Sequence, residues 1–165
     1  MYASYLRKAS QTNPAYMALQ WTCKTFDELN SYELYAIMQL RMAVFVVEQN
    51  CSYQDADNKD FRAHHLMAWD EDRLVAYARL LPPGISYEES SIGRVVSSPS
   101  VRRTGIGKIL MNKSIETLQS LYPGIPIRIG AQLYLKDFYE SFSFKQTSET
   151  YLEDGIPHIE MLLSY

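Results

Sequence analysis

Cysteine is scarce in this chain of 165 residues. Cys23 and Cys51 are the only two, too few for a disulfide framework and without a CxxC pair that would suggest zinc. No metal site is therefore expected, and a reducing cytoplasm is the natural setting. Long apolar runs are also missing. The longest, Ala43-Val44-Phe45-Val46-Val47, falls far short of the roughly 20 residues a membrane span requires. Residues 1–20 carry Arg7, Lys8, Asn13 and Pro14 and hold no continuous apolar stretch, so neither a signal peptide nor a span is read there. No excess of positive charge is present either: the net charge of −3 gives no indication of a nucleic-acid partner. What is left, 47 % hydrophobic and 21 % charged residues, is the composition of an ordinary soluble globular protein. The length fits one domain with a substantial core of its own.

Charge is distributed unevenly along the chain. Between Ser90 and Ile115 there is no Asp or Glu, whereas Arg94, Arg102, Arg103, Lys108 and Lys113 all fall there. Conversely, Glu48, Asp55, Asp57 and Asp60 gather around a single Lys59. The first region suits an anion. The second reads either as a solvated loop or as a surface for a cation.

Hydrophobic periodicity orders the elements. Residues 1–16 have no clear period and read as an extension to a domain over 17–165. Met17–Thr22 alternates weakly as a first strand, and Ser31–Phe45 follows a helical period, capped by Asp27 or by Asn30 with Ser31. Gln49–Arg62 is polar and loop-like. His65–Trp69 and Leu74–Leu81 flank the polar turn Asp70–Arg73, as antiparallel neighbours would. Ile92–Val96 predicts a short strand, stopped by Pro99. A long helix follows Gly107, with Ile109, Leu110, Ile115, Leu118 and Leu121 on its apolar face, and ends at Pro123-Gly124. Ile127–Gly130 then reads as a buried strand and Leu133–Phe142 as a shorter helix. Lys145–Leu152 and His158–Leu163 form a closing hairpin around Glu153-Asp154-Gly155. The order predicts one mixed α/β domain.

The segment with the clearest chemistry runs from Ile92 to Lys108. A strand leaves the sheet, a basic glycine-containing turn follows, and a helix begins. The first turn of a helix carries free backbone N–H groups and the positive end of its dipole, so a pyrophosphate placed there accepts several hydrogen bonds. Gly105 and Gly107 remove side chains that would keep phosphate from the backbone, and Lys108 adds charge. A P-loop requires GxxxxGK[ST], but Gly107-Lys108 is followed by Ile109. A dinucleotide fingerprint requires GxGxxG, but Gly105-Ile106-Gly107 runs on into Lys108-Ile109-Leu110.

Arg102-x-x-Gly105-x-Gly107 resembles the [QR]xxGx[GA] motif of the GCN5-related N-acetyltransferase superfamily. Arg41–Cys51 and Glu153–His158 are similar to segments of its ElaA-like branch. The resemblance covers the chain from about Ser31 to the C-terminus. It implies the acyl-CoA N-acyltransferase fold, a mixed, mostly antiparallel sheet flanked by helices, with two central strands splayed around the cosubstrate. It also implies acetyl-CoA as that cosubstrate, with main-chain groups of Val95, Val96 and Ser97 pairing with its pantetheine arm. Arg102, Arg103, Thr104, Gly105, Ile106, Gly107 and Lys108 would cradle the pyrophosphate. The usual N-x-x-A-x-x-hydrophobic-Tyr segment corresponds here to Gln132–Tyr139, with Gln132 at the Asn position and Leu135 at the Ala position. Tyr139 thereby falls at the tyrosine near the coenzyme A sulfur, and Gln132 keeps an amide for the cosubstrate. The resemblance leaves a homodimer open.

A phenol of reference pKa about 10 can donate to a leaving thiolate of about 8.5, most usefully as charge develops in the transition state. The attacking amine must also lose a proton, since a lysine-like amine is neutral in only about one molecule in 2,500 at pH 7. Glu48 is the leading base, with His65 and His158 behind it. Arg94 stands where some relatives carry a catalytic glutamate. A Cys51 nucleophile served by His65 is the covalent alternative. The acceptor is expected to be an amine, with a small cationic molecule favoured over a protein by the acidic segment Glu48–Asp60. A non-catalytic acyl-CoA sensor and an acyl-CoA-dependent synthase are the competing functions.

Overall fold

The computed structural model describes residues 19–165; the 1–16 extension lies outside the described residues. Eight strands form one sheet. Gln20–Thr25 (β1), His64–Asp70 (β2), Arg73–Leu81 (β3) and Ser90–Ser97 (β4) make an antiparallel meander. Ile127–Gln132 (β5) joins β4 in parallel, and Ile156–Leu163 (β8) runs antiparallel to β5 over six residue pairs. Lys145–Gln146 (β6) and Tyr151–Glu153 (β7) both pair with β8. The described residues also form three α-helices, Ser31–Arg41 (α1), Ile106–Leu121 (α2) and Lys136–Glu140 (α3), with short 3-10 and π-helical turns between elements. Among the described residues no helix is long and apolar enough to cross a membrane.

Two helices sandwich the sheet. On one face Ile106, Leu110, Met111 and Leu118 of α2 pack with Ala68, Leu80, Ile127 and Ile159. On the other, Ile37 and Leu40 of α1 meet Met67, Tyr77 and Val96. Alternation along the strands supplies both layers, because successive side chains point to opposite faces. Burial of each large apolar side chain contributes about 1.5–3 kcal/mol.

Several expected elements change at their ends, each for a local reason. The first strand begins later, at Gln20, and pairs through Thr25 with His64. Helix α1 is capped reciprocally by Asn30 and Glu33 but stops at Arg41, and Met42–Glu48 is π-helical. The i→i+5 bonds Gln49 N to Val44 O and Cys51 N to Val46 O, both 3.1 Å, widen a stretch whose β-branched valines crowd an ordinary α turn. The helix expected over Leu133–Phe142 is a 3-10 turn at Leu133–Leu135 followed by α3. The closing hairpin is interrupted: β6 and β7 are separate, and the turn between β7 and β8 is Asp154-Gly155, both with positive φ, as a tight two-residue turn demands.

Candidate active site

Strands β4 and β5 pair only at Ser90↔Ile127 and Ser91↔Arg128. Beyond that point they part, and the edge of β4 from Ile92 to Ser97 has no strand beside it on that side. A cleft of about 560 Å³ opens there. On the β3 side, Tyr77 pairs with Val96 and Arg79 with Gly93, so Arg94 and Val95 stand opposite the single residue Ala78. This is a β-bulge, and Arg94 has a φ of 51°. The bulge and the splay together leave main-chain groups of β4 facing the cleft, which Val95, Val96 and Ser97 all line.

At the end of β4 the chain passes through a 3-10 turn, Pro99–Val101, capped by the Ser98 side chain, and then through Arg102–Gly105 into α2. Gly105 is the N-cap with φ 93°, a left-handed conformation that favours glycine. The Ile106 and Gly107 N–H groups have no partner inside the helix. The side chain of Ile106 is buried in the core, so only its main chain is available to a ligand. Arg102 lines the cleft; Arg103 to Lys108 lie past its end, at the helix terminus.

The arginine of this turn is engaged. Arg102 Nη1 and Nη2 donate to the two Glu48 carboxylate oxygens at 2.7 and 2.9 Å. Arg102 holds the Glu48 carboxyl below the usual carboxylate range by hydrogen bonding and by charge. Both side chains remain substantially open to solvent, so the pair exchanges readily with other partners. Two predicted site residues 54 positions apart in the sequence are thus brought together.

Tyr139 is buried beneath the cleft, edge-to-face against Phe138 with centroids 5.1 Å apart. Burial, with a smaller contribution from Tyr134, pushes its phenol up to about 12. Gln132, at the end of β5, lines the cleft and approaches Gln49, its Nε2 lying 3.4 Å from the Gln49 Oε1. His158, opposite Gln132 on β8, also lines it. Its Nδ1 lies 2.8 Å from the Ile156 carbonyl, which assigns the proton to Nδ1 and leaves Nε2 as an acceptor. His65 is not part of the cleft. Its ring is fully buried between the Tyr77 hydroxyl at 2.9 Å and the Asp60 carbonyl at 3.1 Å, and burial lowers its pKa. Cys51 reaches only the Asp154 carbonyl, at 3.8 Å, so the structure does not assemble a Cys51–His65 pair.

The acidic run is neither a solvated loop nor a free cation surface. Arg41, fully buried, donates to Asp55 and to Asp60, each at 2.7 Å. Arg79 holds Asp57 at 2.6 Å and Asp60 at 3.1 Å, and Arg94 Nε holds Asp55 at 2.6 Å. Three arginines from α1, β3 and β4 neutralise the three aspartates, which removes the physical ground for expecting a cationic acceptor there. The arginines were each visible as a charge inside an apolar element, but their common partner loop was not.

Residues 31–165 match the family model of the Acetyltransferase (GNAT) domain. The chain belongs to the GCN5-related N-acetyltransferase family and is an acyltransferase by that membership. It is 46 % identical over 145 residues to protein ElaA of Escherichia coli (strain K12), covering 87 % of this chain and 95 % of that protein. The crystal structure of Escherichia coli ElaA superposes with a TM-score of 0.83 at 45 % identity, over 87 % of this chain and 98 % of that one. An acyl-CoA N-acyltransferase from Pseudomonas aeruginosa gives 0.85 at 45 % identity, over 88 % and 99 %. The splayed mixed sheet is therefore the acyl-CoA N-acyltransferase fold.

Proposed function

We propose that this protein transfers an acetyl group from acetyl-CoA to a primary amine by direct attack in a ternary complex. The observation that carries the reading is the cleft between β4 and β5, which passes the bulge at Arg94-Val95 and reaches Arg102, beyond which the chain enters the helix terminus at Gly105–Gly107. An extended pantetheine arm fits the open edge of Val95, Val96 and Ser97, its amides taking the place of a strand. The pyrophosphate then meets Arg102, Arg103, Thr104 and the N–H groups at the start of α2, with Lys108 adding charge. Gln132 offers its amide from the other wall.

The amine nitrogen attacks the thioester carbonyl carbon, the C–S bond breaks, and the sulfur leaves with the electron pair. Tyr139 is the donor assigned to that sulfur. With the phenol near 12 and a thiol near 8.5, complete proton transfer would be uphill by about 5 kcal/mol. Tyr139 therefore acts by hydrogen bonding to the developing thiolate, and the thiolate gains its proton from solvent. Glu48 is the base assigned to take the proton that the acceptor ammonium loses as the amine attacks. Pyrophosphate at the turn competes for Arg102, and its arrival releases the Glu48 carboxylate to face the cleft. His158, with Nε2 unengaged among the described residues, is the competing base.

Release of free thiol from acetyl-CoA across a panel of amines tests the reading. Turnover with at least one amine is expected, and failure to bind coenzyme A at all would overturn it. Arg94 is locked onto Asp55 where some relatives carry a catalytic glutamate, and this favours a second reading, a non-catalytic acyl-CoA sensor. Tight binding of acetyl-CoA with no thiol release for any amine would select it.

A further inference from the structure

The acceptor end of the cleft holds a charge pattern that acyl transfer to a plain amine does not use. With the pyrophosphate at the start of α2 and the arm running along Ser97, Val96 and Val95 as proposed above, the thioester falls at the Val95 end, so the acceptor enters past Arg94 and Gly93 toward the closed end, where β4 and β5 still pair at Ser90 and Ser91. At that closed end sits Lys59. Its Nζ donates to the Ser86 hydroxyl at 3.0 Å, and it lines the cleft half-buried. Among the described residues no carboxylate pairs with it. The neighbouring aspartates are already matched one for one by Arg41, Arg79 and Arg94, so Lys59 is a surplus positive charge. Arg94, which also lines the cleft, commits Nε and Nη2 to the Asp55 side chain and carbonyl, with Nη2 3.6 Å from Asp57 Oδ2 as well, while its Nη1 bonds nothing among the described residues. The guanidinium is further held by the Tyr53 ring, 5.7 Å from its centroid. Two cationic side chains thus line the one cleft.

The opposite wall has the other sign. Glu153 and Asp154, at the tip between β7 and β8, line the cleft, and neither takes part in an ion pair among the described residues. Of the other charged groups lining the cleft, Asp57 is paired with Arg79 and Arg94, and Glu48 with Arg102; the charges left over are Lys59 on one wall and Glu153 and Asp154 on the other.

We infer that the acceptor is an amino acid-like molecule, a primary amine carrying a carboxylate, and that Lys59 and Arg94 bind the carboxylate while the amine is presented to the bulge. This rests on the acetyl-CoA reading and adds the acceptor's chemical class. Charge-assisted hydrogen bonds to a carboxylate are the strong ones, and a half-buried ammonium whose one protein partner is a neutral hydroxyl gains most from such a ligand. An acceptor lacking the carboxylate leaves that ammonium unmatched. An acceptor bearing only positive charge meets repulsion from Lys59.

Sets of acceptors that differ in one group test this. Free amino acids, their methyl esters and their decarboxylated amines are compared at saturating acetyl-CoA, in the native chain and in Lys59→Met and Lys59→Arg. The native chain is expected to show kcat/KM at least about tenfold higher for the free carboxylate than for the ester or the plain amine. Lys59→Met should collapse that preference to within about twofold while the KM for acetyl-CoA stays unchanged, and Lys59→Arg should restore most of it. Thermal melting verifies that both variants are folded. Equal or better use of the decarboxylated amines by the native chain would overturn the inference, as would an undiminished preference in Lys59→Met. Binding of acetyl-CoA with no acetylation of any amino acid would also overturn it and leave the coenzyme A site standing. Failure to bind coenzyme A would instead remove the reading beneath it.

Discussion

Tyr139 illustrates what a single side chain can and cannot do. It is reached from α3, a five-residue helix that packs it among Phe138 and Phe144. Removing its hydroxyl leaves that packing almost untouched. Tyr139→Phe is therefore expected to bind coenzyme A normally and to lower kcat roughly tenfold to a hundredfold; unchanged kcat would take the donor role away from it. Because burial raises its pKa to about 12, the neutral donor form persists through pH 10. The rate should show no falling limb from this residue below about pH 11. Stability responds in the same direction. The folded pKa lies above the unfolded value of about 10, so this contribution is complete below pH 10 and is lost as pH rises toward 12. Alkaline unfolding of Tyr139→Phe should accordingly begin at higher pH than that of the native chain. This tyrosine was singled out by the resemblance, which aligns Gln132–Tyr139 with a family segment. Its burial was not legible, because thirteen tyrosines look alike until the fold selects which ones are enclosed.

At the level of elements, the most legible part was the passage from β4 through the turn into α2, where glycine placement, like charge and the switch from strand to helix coincide. The splay of β4 from β5 had no signature in hydrophobic pattern and came only from resemblance, since alternation within a strand does not say how far its neighbour stays paired. The turn makes two predictions of its own. A Cβ at Gly107 would meet only Phe138, at 3.7 Å, and an acidic group in the first turn of a helix is favourable to the dipole. Gly107→Asp should thus melt no lower than the native chain while its carboxylate occupies the anion site, raising the Kd for coenzyme A by at least about tenfold. Unchanged affinity would mean that the helix terminus does not receive the pyrophosphate. Across the turn, Glu48 holds Arg102 and would compete for it with the pyrophosphate of the proposed reading. Glu48→Gln removes that competition but also the proposed base, so calorimetry should find coenzyme A bound up to a few-fold more tightly while turnover falls at least about tenfold. Turnover preserved in Glu48→Gln would transfer the base role to His158 or to solvent.

On the scale of the whole molecule, one buried charge network ties together parts of the chain that share no sequence pattern. Asp60 accepts from Arg41 at 2.7 Å and from Arg79 at 3.1 Å, while Asp55 links Arg41 to Arg94 at the bulge. The loop after the π-helical turn, which carries Lys59, is thereby fastened to β3 and to β4 at its bulge. Periodicity could not reveal this, because the partners lie 14 to 39 residues apart and each charge taken alone reads as solvated. A buried pair adds little over an apolar replacement, but loss of one partner strands the other charges in a poorly solvated site. Asp60→Ala leaves two buried guanidinium groups short of an acceptor, and its unfolding free energy at pH 7 should fall by about 3–5 kcal/mol. The native chain should pass through a related loss in acid. Burial pushes the Asp57 carboxyl up, but the hydrogen bonds and charge of Arg79 outweigh it and bring it down to about 2. A depressed folded pKa gives stability that is present above pH 4 and disappears as pH falls toward 2. Urea unfolding across that range should show the decline in the native chain, and a smaller one in Asp57→Asn. A native chain equally stable at pH 5 and pH 2.5, or an Asp60→Ala protein within about 1 kcal/mol of native, would mean that the network does not hold the acceptor end in place.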